Sequence, residues 1–239
     1  MTCKARFVGL FTVLVLVAAT ASVATAAETP DASPFNGKDL SGWKLKGSQE
    51  KSKWNVGYAK PDAENPKQLT ARDMGDGSAQ LVNTGTGGVD IYTEEKWGDA
   101  TISLDVLVPQ GSNSGVYVLG EYEVQILDSF GKEKVGPGDI GGLYGAAAPR
   151  VNAAKKPGEW QTMVIEFQAP KFEGDKKVAN ARFVKVTLNG EVIHEDVEMK
   201  GPTPSGVTGK EAATGPLMFQ GDHGPVAFRN IKITPVGKQ

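Results

Sequence analysis

Apolar and polar residues alternate with a period of two along most of this chain, and no stretch holds the period of a helix convincingly. The cleanest case is residues 100–108. Ile102, Leu104, Val106 and Val108 would face one way, and Thr101, Ser103 and Asp105 the other. Residues 160–168 repeat the pattern with Met163, Ile165 and Phe167 on one face. Trp54, Val56 and Tyr58 alternate too, and Leu69, Leu81-Val82 and Val89-Asp90-Ile91-Tyr92 predict further short strands. Turns fall between them at Asn65-Pro66 and at the glycines of 75–77 and 85–88. Residues 183–188, Asn189-Gly190 and 191–197 give the strongest hairpin signal, because Asn-Gly accepts positive φ at both turn positions. In the last strand Val226 and Phe228 share one parity while Ile231 and Ile233 share the other, which predicts a β-bulge near Arg229-Asn230.

The stretch around which the others arrange themselves is residues 111–128, two strand-like runs end to end. In the second run alternation puts Glu121, Glu123 and Gln125 on one face, and Tyr122, Val124 and Ile126 on the other. Solubility alone does not explain so acidic a face on so strong a strand pattern. Three segments interrupt the strands. Residues 129–150 are too rich in glycine for a helix and too long for a simple turn, which marks a functional or mobile loop. Residues 201–215 form a second polar loop, and residues 172–180 read as an exposed excursion. Near the start, residues 35–43 combine Asn-Gly and Ser-Gly turn chemistry with the apolar anchors Phe35, Leu40 and Trp43. Many short strands without helices or repeats predict an all-β fold, one antiparallel β-sandwich over residues 33–239.

Composition bounds the function. The chain has 239 residues, 39% hydrophobic and 23% charged, which is ordinary for a globular protein; its 30 glycines fit many turns. Lys4 and Arg6 precede an apolar run, residues 7–19, too short to span a membrane comfortably, and Ala24-Thr25-Ala26 is a small-residue cleavage pattern. A signal peptide over residues 1–26 is expected, then a polar tether at 27–32, so the protein should be exported, to the periplasm or outside the cell. Cleavage removes the only cysteine, Cys3, and with it any disulfide or thiolate chemistry. It also removes two of 26 basic residues, leaving 24 against 28 acidic ones, without a basic patch that would suit nucleic acid. No later apolar stretch is long enough for a membrane span.

Glu123-Val124-Gln125-Ile126-Leu127-Asp128 resembles the Glu-x-Asp-x-x-Glu spacing of jelly-roll glucanases, with Gln125 in place of the central acid. Two carboxyls on one cleft suit acid/base work, since a crowded one stays protonated beside an ionised one. Glu123 and Asp128 are therefore catalytic candidates. Simple alternation turns Asp128 to the opposite face unless a bulge or the strand end re-aims it. The bland reading is a solvated polar face with Asp128 capping the next turn. Glu121 is a rim charge or a substrate contact. Asn113-Ser114-Gly115 is a turn into a strand or a polar cleft edge. Tyr117, Tyr144 and Trp160 are sugar-stacking platforms or core aromatics. His223, in Gly221-Asp222-His223-Gly224, is a turn residue or a general base oriented by Asp222. His194 lies mid-strand beside Glu195 and Asp196 and reads as surface. No spacing supports a protein metal cage, so no cofactor is expected, with a Ca²⁺ on loop carboxylates and carbonyls left open.

Together, several stretches resemble the 3-keto-disaccharide hydrolase domain family. They are residues 35–43, Asn113-Ser114-Gly115-Val116-Tyr117, residues 122–128, Pro157-Gly158-Glu159-Trp160, Leu188-Asn189-Gly190 and residues 223–231. The family commonly reads Leu-Gln-Asp-His-Gly near its end, whereas this chain reads Phe219-Gln220-Gly221-Asp222-His223-Gly224, with an inserted glycine. The resemblance implies a concanavalin A-like jelly roll, an exported bacterial protein and a carbohydrate substrate, an oxidised di- or oligosaccharide carrying a ketone at C3. In that chemistry the ketone acidifies the C2 proton, a base removes it and an acid protonates the departing C1 oxygen. Glu123 and His223 would be the base candidates and Asp128 the acid, with Asn113, Gln125, Tyr144 and Arg150 orienting hydroxyls or the keto oxygen. The rival reading is a non-catalytic, lectin-like carbohydrate-binding module. A direct glucanase is a weaker third, because the central acid is missing.

Overall fold

The computed structural model describes residues 1–3, 30–72 and 79–237. The expected signal peptide and the turn at 75–77 lie largely or wholly outside the described residues. In chain order the strands are β1 (Trp43–Lys46), β2 (Trp54–Pro61), β3 (Leu69–Arg72), β4 (Gln80–Asn83), β5 (Asp90–Thr93), β6 (Ala100–Leu107), β7 (Asn113–Val118) and β8 (Tyr122–Leu127). They continue as β9 (Trp160–Gln168), β10 (Lys171–Glu173), β11 (Lys176–Ala179), β12 (Ala181–Leu188), β13 (Glu191–Met199), β14 (Met218–Phe219) and β15 (Val226–Pro235). The one helical element is a 3₁₀ turn, Gln49–Lys51, among the described residues.

Two antiparallel sheets make a jelly-roll sandwich. The small sheet runs β1-β5-β14-β7-β8 and the large one β13-β12-β9-β6-β15-β4-β2-β3. Their inner faces are the apolar parities of the sequence. Ile91, Val116, Val118, Tyr122, Val124 and Phe219 of the small sheet share one core with Ile102, Leu104, Met163, Ile165, Phe167 and Phe183 of the large one. A column of aromatics links the layers. Trp43 stacks on Phe219 at 5.4 Å, Phe219 on Phe228 at 3.9 Å, and Phe228 meets Trp54 at 6.3 Å. Each of these rings buries a large apolar area, so the column is a substantial part of the hydrophobic core.

The predicted irregularities are present. The β15–β6 register slips between Arg229 and Lys232, with Asn230 at φ 51°, which lets Phe228 and Ile231 both turn inward. Asn189 and Gly190 take φ 54° and 90° at the β12–β13 hairpin. Residues 172–180 form part of a two-stranded ribbon, β10–β11, with mostly exposed side chains.

Two expectations change. His194 is buried, 2% exposed, rather than on the surface, and its Nε2 lies 2.8 Å from the Gly141 carbonyl. The register slip beside its partner Val186 breaks the alternation, so Ile193 and His194 both turn inward. The long Gly-rich loop is also anchored. Gly141 N–H donates to Gln125 O (2.7 Å), Gln125 N–H to Gly142 O (2.8 Å) and Tyr144 N–H to Glu123 O (3.1 Å). Residues 141–144 thereby cover the outer edge of β8, which would otherwise leave its backbone groups unpaired. The loop's own tight path needs glycine there, because a Cβ at Gly142 would strike the Pro137 backbone.

Candidate functional site

The outward face of the small sheet carries the polar parity. In register across it lie Tyr92, Met218, Tyr117 and Glu123, and Gly115 opposite Gln125. Three segments rise around this face. The 129–150 loop supplies Tyr144, the 201–215 loop supplies Pro204 and Ser205, and the turn after β14 supplies Gln220 and His223. With Asn113, Tyr117, Glu123 and Gln125 they enclose a cavity of about 100 Å³.

Each wall is pinned to the sheet. Glu123 N–H donates to Thr203 Oγ1 (3.0 Å), and the Tyr117 hydroxyl to the Pro204 carbonyl (3.3 Å). Gln220 N–H donates to Gly115 O (3.0 Å), and Ser114 Oγ to Gln220 O (2.8 Å). Asn83, fully buried, donates through Nδ2 to the carbonyls of Gly221 (3.0 Å) and Gly224 (2.7 Å), fixing the turn that carries His223. His223 Nδ1 pairs with Asp222 Oδ1, and both side chains are about half exposed. That bond orients the ring and leaves Nε2 unengaged by Asp222.

Glu123 is only 3% exposed, and burial pushes its carboxyl up to about 7. The neighbouring Tyr117 hydroxyl and the charge of His223 pull against that rise, while Asp90 and Asp222 add to it. Tyr117 is held far above the ordinary phenol range, by burial first and then by Glu123. Glu123 is thus a carboxyl that exchanges its proton near neutrality, as acid/base chemistry requires. Two buried acceptors on the same cavity, Gln125 Oε1 and Asn113 Oδ1, have no hydrogen-bond partner among the described residues. Gln125 Nε2 donates to the Gly138 carbonyl (3.3 Å), which fixes the amide's orientation and leaves Oε1 needing a donor.

Six expected site residues therefore converge on the cavity: Glu123, His223, Asn113, Tyr117, Gln125 and Tyr144. Four sit elsewhere. Asp128, just past the end of β8, accepts from Gly111 N–H at 2.9 Å in the turn that precedes β7 and from Phe130 N–H at 3.4 Å in the turn that follows β8. Arg150 pairs with Glu195 on the surface at 2.7 Å. Trp160 lies on the large sheet under the Arg229 guanidinium, 4.1 Å from the ring centroid. Glu121 is neither rim nor surface. It is 4% exposed, and its Oε1 accepts from Thr208 N–H (2.7 Å) and hydroxyl (2.8 Å), its Oε2 from Gly209 N–H (2.9 Å). It anchors the loop that supplies Pro204 and Ser205. Gln220, Pro204 and Ser205 were missed. Gln220 follows the core residue Phe219 and so faces outward, a signal available in the sequence; the other two depend on how a long loop folds. Among the described residues no group of three or more His, Cys, Asp or Glu side chains converges as a metal site would require.

Residues 31–234 match the model of the 3-keto-alpha-glucoside-1,2-lyase-like domain. The chain belongs to this family. Membership supports a carbohydrate-active role. Among solved structures, a presumptive glycosyl hydrolase from Parabacteroides distasonis is 28% identical, with a TM-score of 0.64 over 86% of this chain and 84% of that one. A second presumptive glycosyl hydrolase from the same organism shares the fold at 20% identity, with a TM-score of 0.59 over 87% of this chain and 94% of its own. No curated protein matches the chain.

Proposed function

We propose that this protein is an exported enzyme that breaks glycosidic bonds of 3-keto sugars by elimination followed by hydration. The observation that carries this reading is the pairing, on one small cavity, of a buried Glu123 carboxyl held near neutrality with a His223 imidazole oriented by Asp222. Family membership and the similar presumptive glycosyl hydrolase support action on a carbohydrate, and the keto sugar is the substrate that the family's description suggests.

In this mechanism the substrate's C3 ketone acidifies the C2–H bond. His223 Nε2 takes that proton, the electron pair forms the C1–C2 double bond, and the C1–O bond to the leaving group breaks. Protonated Glu123 donates its proton to the departing oxygen. Glu123, now a carboxylate, then takes a proton from water as that water adds to C1, and His223 returns its proton to C2. The net reaction is hydrolysis, and both residues end in their starting states. The unpartnered Gln125 Oε1 and Asn113 Oδ1 are acceptors, so they suit sugar hydroxyls rather than the ketone oxygen. Glu123 takes the acid role that the sequence suggested for Asp128, which the fold uses as a cap.

The test incubates mature protein with a 3-keto disaccharide and its unoxidised parent and follows released sugar by mass spectrometry, with and without EDTA. Release from the oxidised sugar alone is expected. Release from both makes the protein an ordinary glycosidase, and binding without release makes it a carbohydrate-binding module.

A further inference from the structure

Asp90 is a buried carboxylate that the proposed chemistry does not use. Alternation along β5 puts Ile91 in the core and turns Asp90 and Tyr92 to the outward face, the face of Glu123. Asp90 is 8% exposed and reaches two of the three segments that wall the cavity, one directly and one through Lys46. Its Oδ1 accepts from Gly221 N–H at 3.0 Å, in the turn that carries Asp222 and His223. Its Oδ2 pairs with Lys46 Nζ at 3.3 Å, and that ammonium donates to the Ser205 carbonyl at 2.6 Å. Ser205 holds φ 65°, a left-handed conformation that a serine adopts only when its surroundings fix it.

We infer that Asp90, acting with Lys46, is a positioning residue that ties the Ser205 wall and the His223 turn to one carboxylate on the working face of the sheet. This rests on the acid/base reading above. Gly221 supports it. A Cβ there would strike the Val89 carbonyl and the Trp54 indole nitrogen, so the backbone passes close to β5 only because residue 221 is glycine. The inserted glycine seen in the sequence is the residue whose N–H Asp90 holds. The carboxylate has an electrostatic consequence as well. Of the groups that act on Glu123, Tyr117 and His223 favour its ionised form, whereas Asp90 and Asp222 favour its protonated form. Removing the Asp90 charge therefore lets Glu123 ionise at lower pH.

The experiment compares mature wild type, Asp90→Asn, Lys46→Met and Lys46→Arg. It reads turnover of the 3-keto disaccharide, the Glu123 carboxyl titration by ¹³C NMR, and amide exchange in residues 204–207 and 221–224. Asp90→Asn should lower kcat about 10- to 100-fold, the scale of a misplaced catalytic group, move the Glu123 titration downward and speed exchange in both loops. Lys46→Met should speed exchange at 204–207 without moving the titration downward, and Lys46→Arg should restore it. An unmoved titration together with unchanged exchange in Asp90→Asn overturns the proposal. If Asp90→Asn fails to fold, unchanged exchange at 204–207 in Lys46→Met overturns it. Because titration and exchange need no turnover, they decide the role of Asp90 even where wild type leaves the sugar intact, an outcome that counts against the acid/base reading alone.

Discussion

Glu123 occupies its place because residue 115 has no side chain. Gly115 lies beside it on the neighbouring strand, and a Cβ there would fall within the space of Glu123 Oε1 and at 2.9 Å from the Tyr117 ring. The backbone at Gly115 is not left-handed, so alanine is allowed conformationally and the cost is displacement of its neighbours. Gly115→Ala should therefore fold with a loss of about 1–3 kcal/mol, typical of overpacking. It should lose about 100-fold in turnover, because the carboxyl must move. Thermal unfolding and steady-state kinetics on the 3-keto disaccharide check both; full turnover would show that the carboxyl works from some other position.

Glu123→Gln separates chemistry from stability. Loss of the proton donor should reduce turnover by about 10²–10⁴-fold. Stability should move the other way. The folded state holds the Glu123 proton up to about pH 7, whereas the unfolded chain releases it near the ordinary value of 4.5. Below that window both states are protonated. Through it the folded state binds more protons, so stability falls as pH rises, and above it the full penalty stands. The ceiling is about 3 kcal/mol, from the size of the shift. Glu123→Gln should thus be more stable than wild type at pH 8 and gain little at pH 4, in denaturant titrations at the two pH values. An equal gain at both would mean that burial does not hold the proton.

The carboxylates of residues 121–128 separate in their roles, and their variants should separate too. Glu121→Gln weakens the charge-assisted bonds to Thr208 and Gly209 that hold the 201–215 loop. It should cost about 2–3 kcal/mol and raise KM more than it lowers kcat, since the loop supplies Pro204 and Ser205. Asp128→Ala loses a turn cap and should cost about 1 kcal/mol, with kcat unchanged. A collapse of kcat in Asp128→Ala at retained stability would return Asp128 to the chemistry.

Sheet faces were legible from the sequence because one face of each strand must be apolar. Val124 and Ile126 point inward, so Glu123 and Gln125 point outward whatever the rest of the chain does. The bulge at Arg229-Asn230 was legible for the same reason: when apolar parity changes within one strand, both halves can face the core only if an extra residue enters the ladder between them. Glu121 shows where the rule stops. It shares the parity of Glu123 but precedes β8, behind Leu119 and Gly120 at φ 52° and 69°, and a distant loop, through Thr208 and Gly209, wraps its carboxylate. Alternation carries no information about which distant loop covers a strand end. The same gap hid Pro204 and Ser205 from the site, whereas His194 looked exposed because the register slip beside Val186 turns it inward against simple alternation.

His194 gives the protein a specific acid sensitivity. Burial lowers its affinity for a proton, the nearby Arg150 charge lowers it further, and the hydrogen bond to Gly141 only partly opposes them. The folded state therefore keeps the ring neutral at pH values where the unfolded chain is already protonated. Where the unfolded state binds more protons, stability rises with pH. This contribution is therefore complete above the ordinary histidine value of 6.5 and is lost as pH falls through the lowered folded value. His194→Gln keeps a neutral hydrogen-bonding group under the loop without titrating. It should unfold at a lower pH than wild type in an acid titration followed by circular dichroism, even if it is slightly less stable at pH 8. The loop that His194 supports also carries Tyr144 into the cavity, so amide protection at residues 141–144, corrected for the intrinsic pH dependence of exchange, should fall in wild type as pH drops below the ordinary histidine value of 6.5 and stay constant in His194→Gln. Identical acid midpoints in the two proteins would place the acid-sensitive group elsewhere.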